Sequence, residues 1–534
     1  MTPMQGRLIL VSNRLPVALQ RQGDSLRVEP SPGGLATALS AVWNNYKDGV
    51  WIGWPGAEVD VDIQSLLDKV SKDQPYQLRS VVLTAQEIEK FYAGFANEII
   101  WPLFHDLQSR CNFRPEYWEA YQSVNRKYAH VVASSSKPGD LAWVHDYQLM
   151  LVAHSLRELG VRSQLGFFLH IPFPPPDVFE KLPWRDAILR GLLEFDVLGF
   201  QTGRDRNNFI ACIAELLPEA EIQNADQQQA VVRFGGRRVV AGAFPISIDF
   251  DEFAVPAASP EVGTRAAAIR AELMENILLL GVDRMDYTKG IPERLQAFRL
   301  LLERFPEVRR QISLVQIVVP SRSEIPEYKG LREEVELLVS QINGQFTQPG
   351  WVPIHYMYRS MPRHELLAYY RAADVALITP LKDGMNLVAK EFCAAQVDER
   401  GVLLLSEFAG ASPELRHGAM LVNPNDFVGV ANAIREACQM PSEEKVSRMR
   451  LLREIVKNHN IHRWTSSFLS AAVVPAAAAA AAAGEGETGN DNRERSTPNP
   501  DNGTPGVALV ARALTSRLST RKIVARPMPT FLAT

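Results

Sequence analysis

The chain has 534 residues, of which 46% are hydrophobic and 22% are charged, and its formal net charge at pH 7 is -4. This composition is typical of a globular protein with room for two domains and a tail, and the slightly acidic balance argues against nucleic acid as a partner. The four cysteines are too far apart for a disulfide framework or a structural zinc site, so a reducing cytoplasm is the expected location.

The N-terminal residues predict a buried strand rather than a targeting segment. Leu8 to Val11 are apolar, and the polar residues Ser12 to Arg14 follow too soon for a signal peptide. The other long apolar run, Ala471 to Ala483, is mostly alanine, contains Pro475 and is too short to span a bilayer. The sequence therefore predicts no membrane partner.

Short apolar runs alternate with longer segments of helical period along most of the chain. This alternation predicts an α/β fold with parallel sheets covered on both faces by helices. The expected strands are Leu8 to Val11, Leu141 to Val144, Leu165 to Leu169, Ile277 to Val282, Leu314 to Val319, Val375 to Ile378 and Val402 to Leu405. One sheet of this size would be unusual, so we expect two domains whose strand ends share a ligand cleft.

A predicted hairpin and a proline-rich stretch mark the division between the domains. Val231 to Val240 is expected to turn at Gly235-Gly236, and Pro256 to Pro260 follows. We place the boundary near residues 245 to 260, which gives an N-terminal domain at 1–250 and a C-terminal domain at 251–455.

The last segment, residues 471–534, differs in composition from the rest of the chain. Alanine repeats give way to Gly484 to Pro505, whose polar composition cannot bury enough apolar area to order itself. Gly506 to Thr534 carries five basic residues and no acid. We interpret the segment as a disordered, solvated tail, with a short basic helix on an anionic partner as the alternative.

The loop from Thr379 to Glu391 leaves a predicted strand and opens a helix. Gly384 lets the backbone turn, so that the first amides of the helix can face an anion. The carboxylates of Asp383 and Glu391 can accept hydrogen bonds from sugar and ribose hydroxyls. The alternative is an ordinary helix cap at Asp383 with a solvated Glu391.

Two cations, Arg284 and Lys289, follow the first strand of the second domain. Pro292 suits the first position of the next helix, so both cations can converge on a diphosphate and neutralise a leaving nucleotide. The alternative is an exposed basic loop paired with the neighbouring acids Asp283, Asp286 and Glu293. Arg322 follows the next strand and could clamp a second phosphate in the same cleft.

In the first domain, polar side chains also follow the predicted strands. Arg14 ends the first strand, and Asp146 and His170 follow two later ones, which makes them candidates for sugar-hydroxyl and transition-state contacts. A surface charge at Arg14 and a structural role for His170 are the alternatives. The adjacent Gly33 and Gly34 predict a loop whose backbone can approach a ligand closely.

Aromatic residues cluster between Phe91 and His105 at helical spacing. This spacing predicts core packing for most of them. Tyr92 and Trp101, however, carry polar tips on flat apolar rings, the kind of surface on which a sugar packs.

Taken in chain order, six motifs resemble those of trehalose-6-phosphate synthases. They are Ser12-Asn13-Arg14, Gly33-Gly34-Leu35, Trp143 to Tyr147, Phe168 to Pro174, Arg284 to Gly290 and Asp383 to Glu391. The resemblance implies a GT-B glycosyltransferase with two Rossmann-like domains and a helix at 456–470 that returns to the first domain. It also implies transfer of glucose from UDP-glucose to glucose 6-phosphate, with retention at the anomeric carbon and without a metal or another cofactor.

The resemblance distributes the candidate residues between the two substrates. It implies acceptor contacts from Arg14, Tyr92, Trp101, Asp146 and Arg322. It implies donor contacts from Gly33, Gly34, His170, Arg284, Lys289, Met361, Asp383, Asn386, Leu387, Val388 and Glu391. In this assignment His170, Arg284, Lys289 and Asp383 are catalytic, the main chain near Met361 meets the base, and Glu391 holds the ribose.

Two other functions stay open at this stage, as does a homo-oligomeric state. One is a related glucosyltransferase that uses ADP-glucose or another acceptor such as glycerol 3-phosphate or a cyclitol. The other is a catalytically silent sugar-phosphate sensor that signals through its tail. Arg14 with Tyr92 and Trp101 favours a hexose phosphate acceptor, and the presence of Arg284 and Lys289 favours an enzyme.

Overall fold

The computed structural model of the chain describes residues 6–22, 25–30, 39–40, 42–43, 46, 48–57, 63–72, 74–274, 276–322 and 326–484. The predicted glycine loop with Gly33 and Gly34, and the tail from residue 485 onward, lie outside this range. Among the described residues, no helix has the length and apolar character that crossing a bilayer requires.

Nine strands of the described chain form the first sheet, in the spatial order β5-β4-β1-β6-β7-β8-β11-β10-β9. Its strands are β1 Leu8–Arg14, β4 Gly49–Trp54, β5 Tyr76–Ser80, β6 Leu141–His145, β7 Gln164–Leu169, β8 Val197–Phe200, β9 Glu221–Gln223, β10 Gln229–Phe234 and β11 Arg237–Ala243. The strands from β5 to β11 in this order run parallel. At one edge of the sheet, β10 pairs antiparallel with β11, and β9 pairs antiparallel with β10. A separate antiparallel pair joins β2 Val17–Gln22 to β3 Ser25–Pro30.

The hairpin predicted from Val231 to Val240 is confirmed. Val232 pairs with Val239, and the turn falls at Gly235 and Gly236. Both glycines have positive φ, 54° and 77°, a conformation that L side chains rarely adopt.

Within the described residues, six strands form the second sheet, all parallel, in the order β14-β13-β12-β15-β16-β17. They are β12 Ile277–Arg284, β13 Ile312–Val319, β14 Ile354–Tyr358, β15 Val375–Ile378, β16 Val402–Ser406 and β17 Met420–Val422. Their side chains are largely buried on both faces, as the near-continuous apolar runs predicted. Both sheets lie within one compact unit that ends at Ala481.

Helices cover both sheets. Those before residue 250 are Gln64–Val70, Ala85–Glu87, the π-helix Ile88–Ile100, Trp101–Phe104, Pro115–Ser135, Val152–Glu158, Pro176–Phe179, Arg185–Leu192 and Gly203–Leu216. Those after it are Asp251–Ala257, Pro260–Glu272, Ile291–Arg304, Pro326–Phe346, Arg363–Ala372, Leu387–Ala395, Ser412–Leu415, Phe427–Gln439, Ser442–Asn458 and Ile461–Gly484. Single 3-10 turns lie at Gln108–Arg110, Tyr147–Leu149, Tyr287–Lys289 and Pro306–Val308.

The final helix packs on the first sheet. Phe468 stacks on Trp143 with ring centroids 4.6 Å apart and an interplanar angle of 9°. Gly199 leaves room for this contact, because a Cβ there would lie 2.8 Å from a ring carbon of Phe468. The helix continues through the alanine-rich run to Gly484, in agreement with the high helix propensity of alanine, so the tail expected from residue 471 begins as helix.

Candidate active site

A cleft lies where the carboxyl ends of strands from the two sheets meet, and its cavity volume is ≈ 370 Å³. The candidate residues that line it are Arg14, Tyr92, Trp101, Asp146, His170, Arg284, Lys289, Arg322, Asp383, Asn386, Leu387, Val388 and Glu391. Met361 is not among the lining residues, and its partly buried side chain packs against the core. The fold therefore brings together most of a set that the sequence spreads over nearly 400 residues.

Lys289 and Asp383 form an ion pair on the second-sheet side of the cleft. Lys289 Nζ lies 2.5 Å from Asp383 Oδ2, and both side chains are nearly buried. Burial alone would raise the pKa of the Asp383 carboxyl, but the Lys289 ammonium holds it below its usual range. The Asp383 carboxylate also accepts hydrogen bonds from the Met385 N–H and the Asn386 side-chain amide. The carboxylate is therefore charged and fixed in place.

Arg284 is the exposed cation of this side. Within the part of the chain that the structure describes, its side chain forms no hydrogen bond or ion pair. The nearby acids are used elsewhere, because Asp283 pairs with Arg294 and Asp286 pairs with Arg322. Arg284 therefore lies near the Asp146 and Asp286 carboxylates without bonding to either, and its exposed guanidinium can meet an anionic ligand.

Arg322 follows β13, on the second-sheet side of the cleft, and its backbone φ is 49°. Its guanidinium stacks over the Trp101 ring at 4.3 Å and donates hydrogen bonds to Asp286 and to the Tyr328 hydroxyl. Burial alone would raise the pKa of Asp286, but Arg322 and nearby cations lower it. Arg322 is thus held by partners on one face and stacked on an aromatic ring on another.

Arg14 and Arg322 converge on Tyr92. Arg14 comes from the end of β1 and lies over the rings of Trp54 and Tyr92, at 4.6 and 5.3 Å. Burial would raise the pKa of the Tyr92 hydroxyl, but Arg322 and Arg14 together lower it. The positive potential of two guanidiniums from different sheets is therefore focused on one point of the cleft, as a phosphate group requires.

A pair of buried histidines lies at the ends of β6 and β7. His145 Nδ1 is 3.1 Å from His170 Nε2, and burial lowers the pKa of His170 to about 3. Burial and His170 also lower the pKa of His145 well below its usual value. Both rings are therefore neutral, and His170 Nδ1 has no hydrogen-bond partner among the described residues.

Asp146 is strained and buried beside this pair. Its φ of 76° and ψ of 167° lie in a region that is essentially restricted to glycine. The His170 backbone N–H donates to Asp146 Oδ1 at 3.2 Å, and burial raises the pKa of this carboxyl to about 7. Such strain and such a pKa are typical of residues that bind a ligand.

Asp146 is expected to make the unliganded protein less stable as the pH rises. Because the folded-state pKa lies above the unfolded value, the contribution to stability is complete below about pH 4 and is lost as the pH passes through about 7. The contribution of Asp146 to the free energy of unfolding should fall by up to ~1.4 kcal/mol per pH unit in this window. Urea unfolding should therefore show that the stability of Asp146→Asn relative to the wild type increases from about pH 4 to about pH 7, and parallel curves would contradict the assignment.

The alternative interpretation of the loop after β15, an ordinary helix cap at Asp383, is wrong. The helix Leu387–Ala395 is capped by the side chain of Asn386, which accepts from the Ala389 N–H, and not by Asp383. Asn386 adopts a left-handed conformation with φ 60°, which asparagine tolerates better than most residues. Because Asn386 caps the helix, the Asp383 carboxylate can pair with Lys289 and face the cleft.

Gly384 is needed for a close approach rather than for a positive φ. A Cβ at this position would lie 2.2 Å from the main-chain oxygen of His170, on the other side of the cleft. The two loops that carry Asp383 and His170 are therefore in backbone contact, which a larger residue would prevent.

Gly384→Ala is expected to lower kcat by about 10 to 100-fold, because the backbone clash must move one loop away from the other. Steady-state kinetics on the folded variant test this expectation. Gly344→Ala is the matched control: nothing lies within 4 Å of its added Cβ, and the helical substitution should leave kcat unchanged while raising stability by ~1 kcal/mol. An equal kcat for the two variants would contradict the importance of the contact.

Glu391 lies in the second turn of the capped helix and faces the cleft. Burial raises the pKa of its carboxyl, and the Tyr370 hydroxyl donates to it at 2.9 Å. It is not the solvated residue of the alternative interpretation. One oxygen is held by Tyr370, which leaves the other able to accept a hydrogen bond from a ligand hydroxyl.

Other contacts join the two sides of the cleft near Trp101. Lys382 Nζ lies 2.6 Å from Asp106 Oδ2, and the Arg110 guanidinium lies 4.8 Å from the Tyr287 ring centroid. These contacts keep the loops that carry Trp101 and Lys289 close together.

Among the residues in or next to the cleft that sequence reasoning missed are His145, Tyr328 and His105. His145 lies in a motif already singled out, next to Asp146, but its partner His170 is 25 residues away. Tyr328 sits on a helix after Arg322, and only the fold brings its hydroxyl to the guanidinium. His105 stacks on Trp101, and burial lowers its pKa to about 4. The aromatic cluster between Phe91 and His105 was the sequence feature that could have indicated His105.

Similarity to known proteins agrees with this arrangement. The model of glycosyltransferase family 20 matches residues 6–473. A trehalose-6-phosphate synthase from Mycobacterium avium is 43% identical over 468 residues, covering 87% of this chain and 94% of the relative. A bifunctional trehalose-6-phosphate synthase/phosphatase from Thermoproteus tenax is 41% identical, and the alignment covers 88% of this chain but only 63% of that longer relative.

Solved structures give the same result. An α,α-trehalose-phosphate synthase (UDP-forming) from Burkholderia xenovorans, in complex with glucose-6-phosphate, has a TM-score of 0.80 at 35% identity and covers 88% of this chain and 100% of that one. An E. coli structure bound with UDP-2-fluoro glucose has a TM-score of 0.78 at 34% identity, with 88% and 99% covered. The predicted GT-B fold and family are confirmed, and the chain belongs to glycosyltransferase family 20.

Proposed function

We propose that the chain is a retaining glucosyltransferase that transfers glucose from UDP-glucose to glucose 6-phosphate, giving trehalose 6-phosphate and UDP. The observation that carries this proposal is the presence of two separate cationic clusters in one cleft. Two phosphorylated substrates require two such clusters, and relatives with the same fold are named for this reaction or were solved with glucose-6-phosphate.

The acceptor occupies the side of the cleft with Arg14 and Arg322. Their guanidiniums bind the phosphate of glucose 6-phosphate next to the Tyr92 hydroxyl, and Trp101 packs against the sugar. Asp146 accepts a hydrogen bond from a sugar hydroxyl. This arrangement favours a hexose phosphate over the smaller glycerol 3-phosphate, which would leave the aromatic surface uncovered.

The donor occupies the side with Arg284 and Lys289. These cations contact the diphosphate of UDP-glucose, Glu391 holds the ribose, and the helix start at Asn386 to Val388 lies against the nucleotide sugar. Asp383, fixed by Lys289, holds the hydroxyls of the transferred glucose. We also assign Gly33, Gly34 and the main chain at Met361 to the donor site, with Met361 at the nucleotide base.

In the reaction, the anomeric hydroxyl oxygen of glucose 6-phosphate bonds to C1 of the donor glucose as the bond from C1 to the diphosphate oxygen breaks. Attack comes from the face of the leaving group, so the configuration is retained and the acceptor proton passes to the departing phosphate oxygen. Arg284 and Lys289 stabilise the charge that builds on that oxygen. His170 contacts the donor sugar, where its neutral ring adds no positive charge beside a cation-like C1.

We assign residues 1–250 to an acceptor domain, 251–455 to a nucleotide-sugar domain and 456–470 to the returning helix. Packing of Phe468 on Trp143 supports the last assignment. A cytoplasmic location is part of the proposal and is supported by the four cysteines, all of which are free.

The test is to incubate the purified chain with UDP-, ADP- or GDP-glucose and with glucose 6-phosphate or glycerol 3-phosphate, and to identify products by mass spectrometry and NMR. We expect a phosphorylated disaccharide with two α-anomeric carbons from UDP-glucose and glucose 6-phosphate. Transfer only to glycerol 3-phosphate, or binding without turnover, would support the alternative glucosyltransferase or the sensor. Release of nucleotide without a disaccharide would contradict the proposal.

A further inference from the structure

A fully buried guanidinium lies beneath the second-sheet side of the cleft. Arg294 belongs to the helix Ile291–Arg304, its side chain is 0% exposed, and it is not among the residues that line the cavity. It cannot contact either substrate directly. A buried charge of this kind needs a physical reason, because its desolvation is costly.

Arg294 contacts four segments of the chain through one planar group. Its Nη1 donates to Asp283 Oδ2 at 2.5 Å and to Gln316 Oε1 at 3.0 Å. Its Nε donates to Thr379 Oγ1 at 3.0 Å, and its Nη2 donates to the Lys289 main-chain oxygen at 3.4 Å. The donors of a guanidinium have fixed relative directions, so these acceptors are held in fixed relative positions.

Three of these segments carry a proposed donor-binding residue, whereas the fourth acceptor, Gln316, lies in the middle of β13. Asp283 immediately precedes Arg284, Lys289 is held through its own carbonyl, and Thr379 begins the loop that leads to Asp383. The Leu381 N–H also donates to the Thr288 main-chain oxygen at 2.8 Å, which ties the last two segments directly. Arg294 is the group common to all three.

The sequence leaves space for this group at Gly281, in the middle of β12. A Cβ there would lie 2.3 Å from Gln316 Oε1 and 2.7 Å from Arg294 Nη1. At Gly281 the strand has no side chain, and the Arg294 guanidinium and the Gln316 side-chain amide occupy that space. An apolar side chain of similar volume could fill the same space without the cost of burying a charge.

We propose that Arg294 is a positioning residue that sets the relative placement of Arg284, Lys289 and Asp383 around the donor diphosphate. This inference rests on the proposed function, since it assumes that these residues bind the donor. It predicts that damage to the network affects the donor and leaves the acceptor side, with Arg14 and Arg322, unchanged.

The first experiment compares Arg294→Lys with Arg270→Lys. Arg270 is the matched control, because it also pairs with an aspartate, Asp374, but at the other end of the second sheet, where Asp374 accepts from the Leu278 N–H. For Arg294→Lys we expect UDP binding by calorimetry, and kcat/KM for UDP-glucose, to fall about tenfold or more. The KM for glucose 6-phosphate should stay within about twofold, and Arg270→Lys should change only the melting temperature.

Thr379→Val is the second variant, and it tests the network if Arg294→Lys fails to fold. It removes one hydroxyl acceptor with little change in volume and should selectively weaken UDP binding several-fold. Unchanged donor kinetics in folded Arg294→Lys would overturn the inference, as would equal losses for donor and acceptor. If Arg294→Lys does not fold, unchanged UDP binding in Thr379→Val would overturn it. Failure of the wild type to bind UDP would instead contradict the proposed function.

Discussion

Replacing Arg284 with alanine is expected to lower kcat by about a hundredfold or more without lowering the melting temperature. In the described part of the chain this exposed guanidinium makes no ion pair or hydrogen bond, so its removal breaks no direct contact of the folded protein. The transition state loses a cation where negative charge builds on the leaving diphosphate. Steady-state kinetics with calorimetric melting separate these effects.

Lys289→Ala should lower kcat by a similar factor, of about a hundredfold, but with a different effect on stability. It leaves Asp383 buried without its cation, so we expect a loss of ~3 kcal/mol in the free energy of unfolding. The control for both variants is Arg299→Ala, which removes an exposed arginine that pairs with Glu303 on the same helix. A near-wild-type rate in Arg284→Ala or Lys289→Ala would contradict their assignment to the leaving group.

Replacing Arg322 with alanine is expected to raise the KM for glucose 6-phosphate by about 10 to 100-fold, because charge-assisted hydrogen bonds to a phosphate contribute ~1.5–3 kcal/mol each. The position is sensitive because Arg322 is held between Trp101 and Asp286 and adds to the field of Arg14 at Tyr92. The KM for UDP-glucose should change little. Kinetics with each substrate varied in turn give the two values.

Glucose without its phosphate is the control substrate for this prediction. If Arg322 binds the phosphate, then Arg322→Ala should lower kcat/KM for glucose 6-phosphate far more than for glucose. Arg322→Lys keeps the charge but loses the planar stack on Trp101, so an intermediate value is expected. Equal losses for the two acceptors would show that Arg322 acts through the fold of the cleft and not through the phosphate.

The strands with continuous apolar character were predictable, because such runs have no other stable place than a sheet covered on both faces. Leu165 to Leu169 lies within β7, and Val375 to Ile378 coincides with β15. The strands that were not predicted carry a weaker signal. In β4 the apolar residues are interrupted by Gly53, and the edge strand β14 mixes polar and aromatic side chains that are only partly buried after Ile354.

The sequence by itself determined the fold class, the family and the candidate residues at the strand ends, because parallel strands put the residues that follow them at one edge of each sheet. Only the tertiary structure decided which of these residues are partners. Lys289 meets Asp383 across 94 residues, and Arg294 meets Thr379 across 85. Periodicity and local spacing in the sequence indicate contacts only between residues that are close along the chain. The long-range pairings arise only when the two sheets come together around one cleft. The burial that shifts the pKa values of Asp146 and His170 arises in the same way.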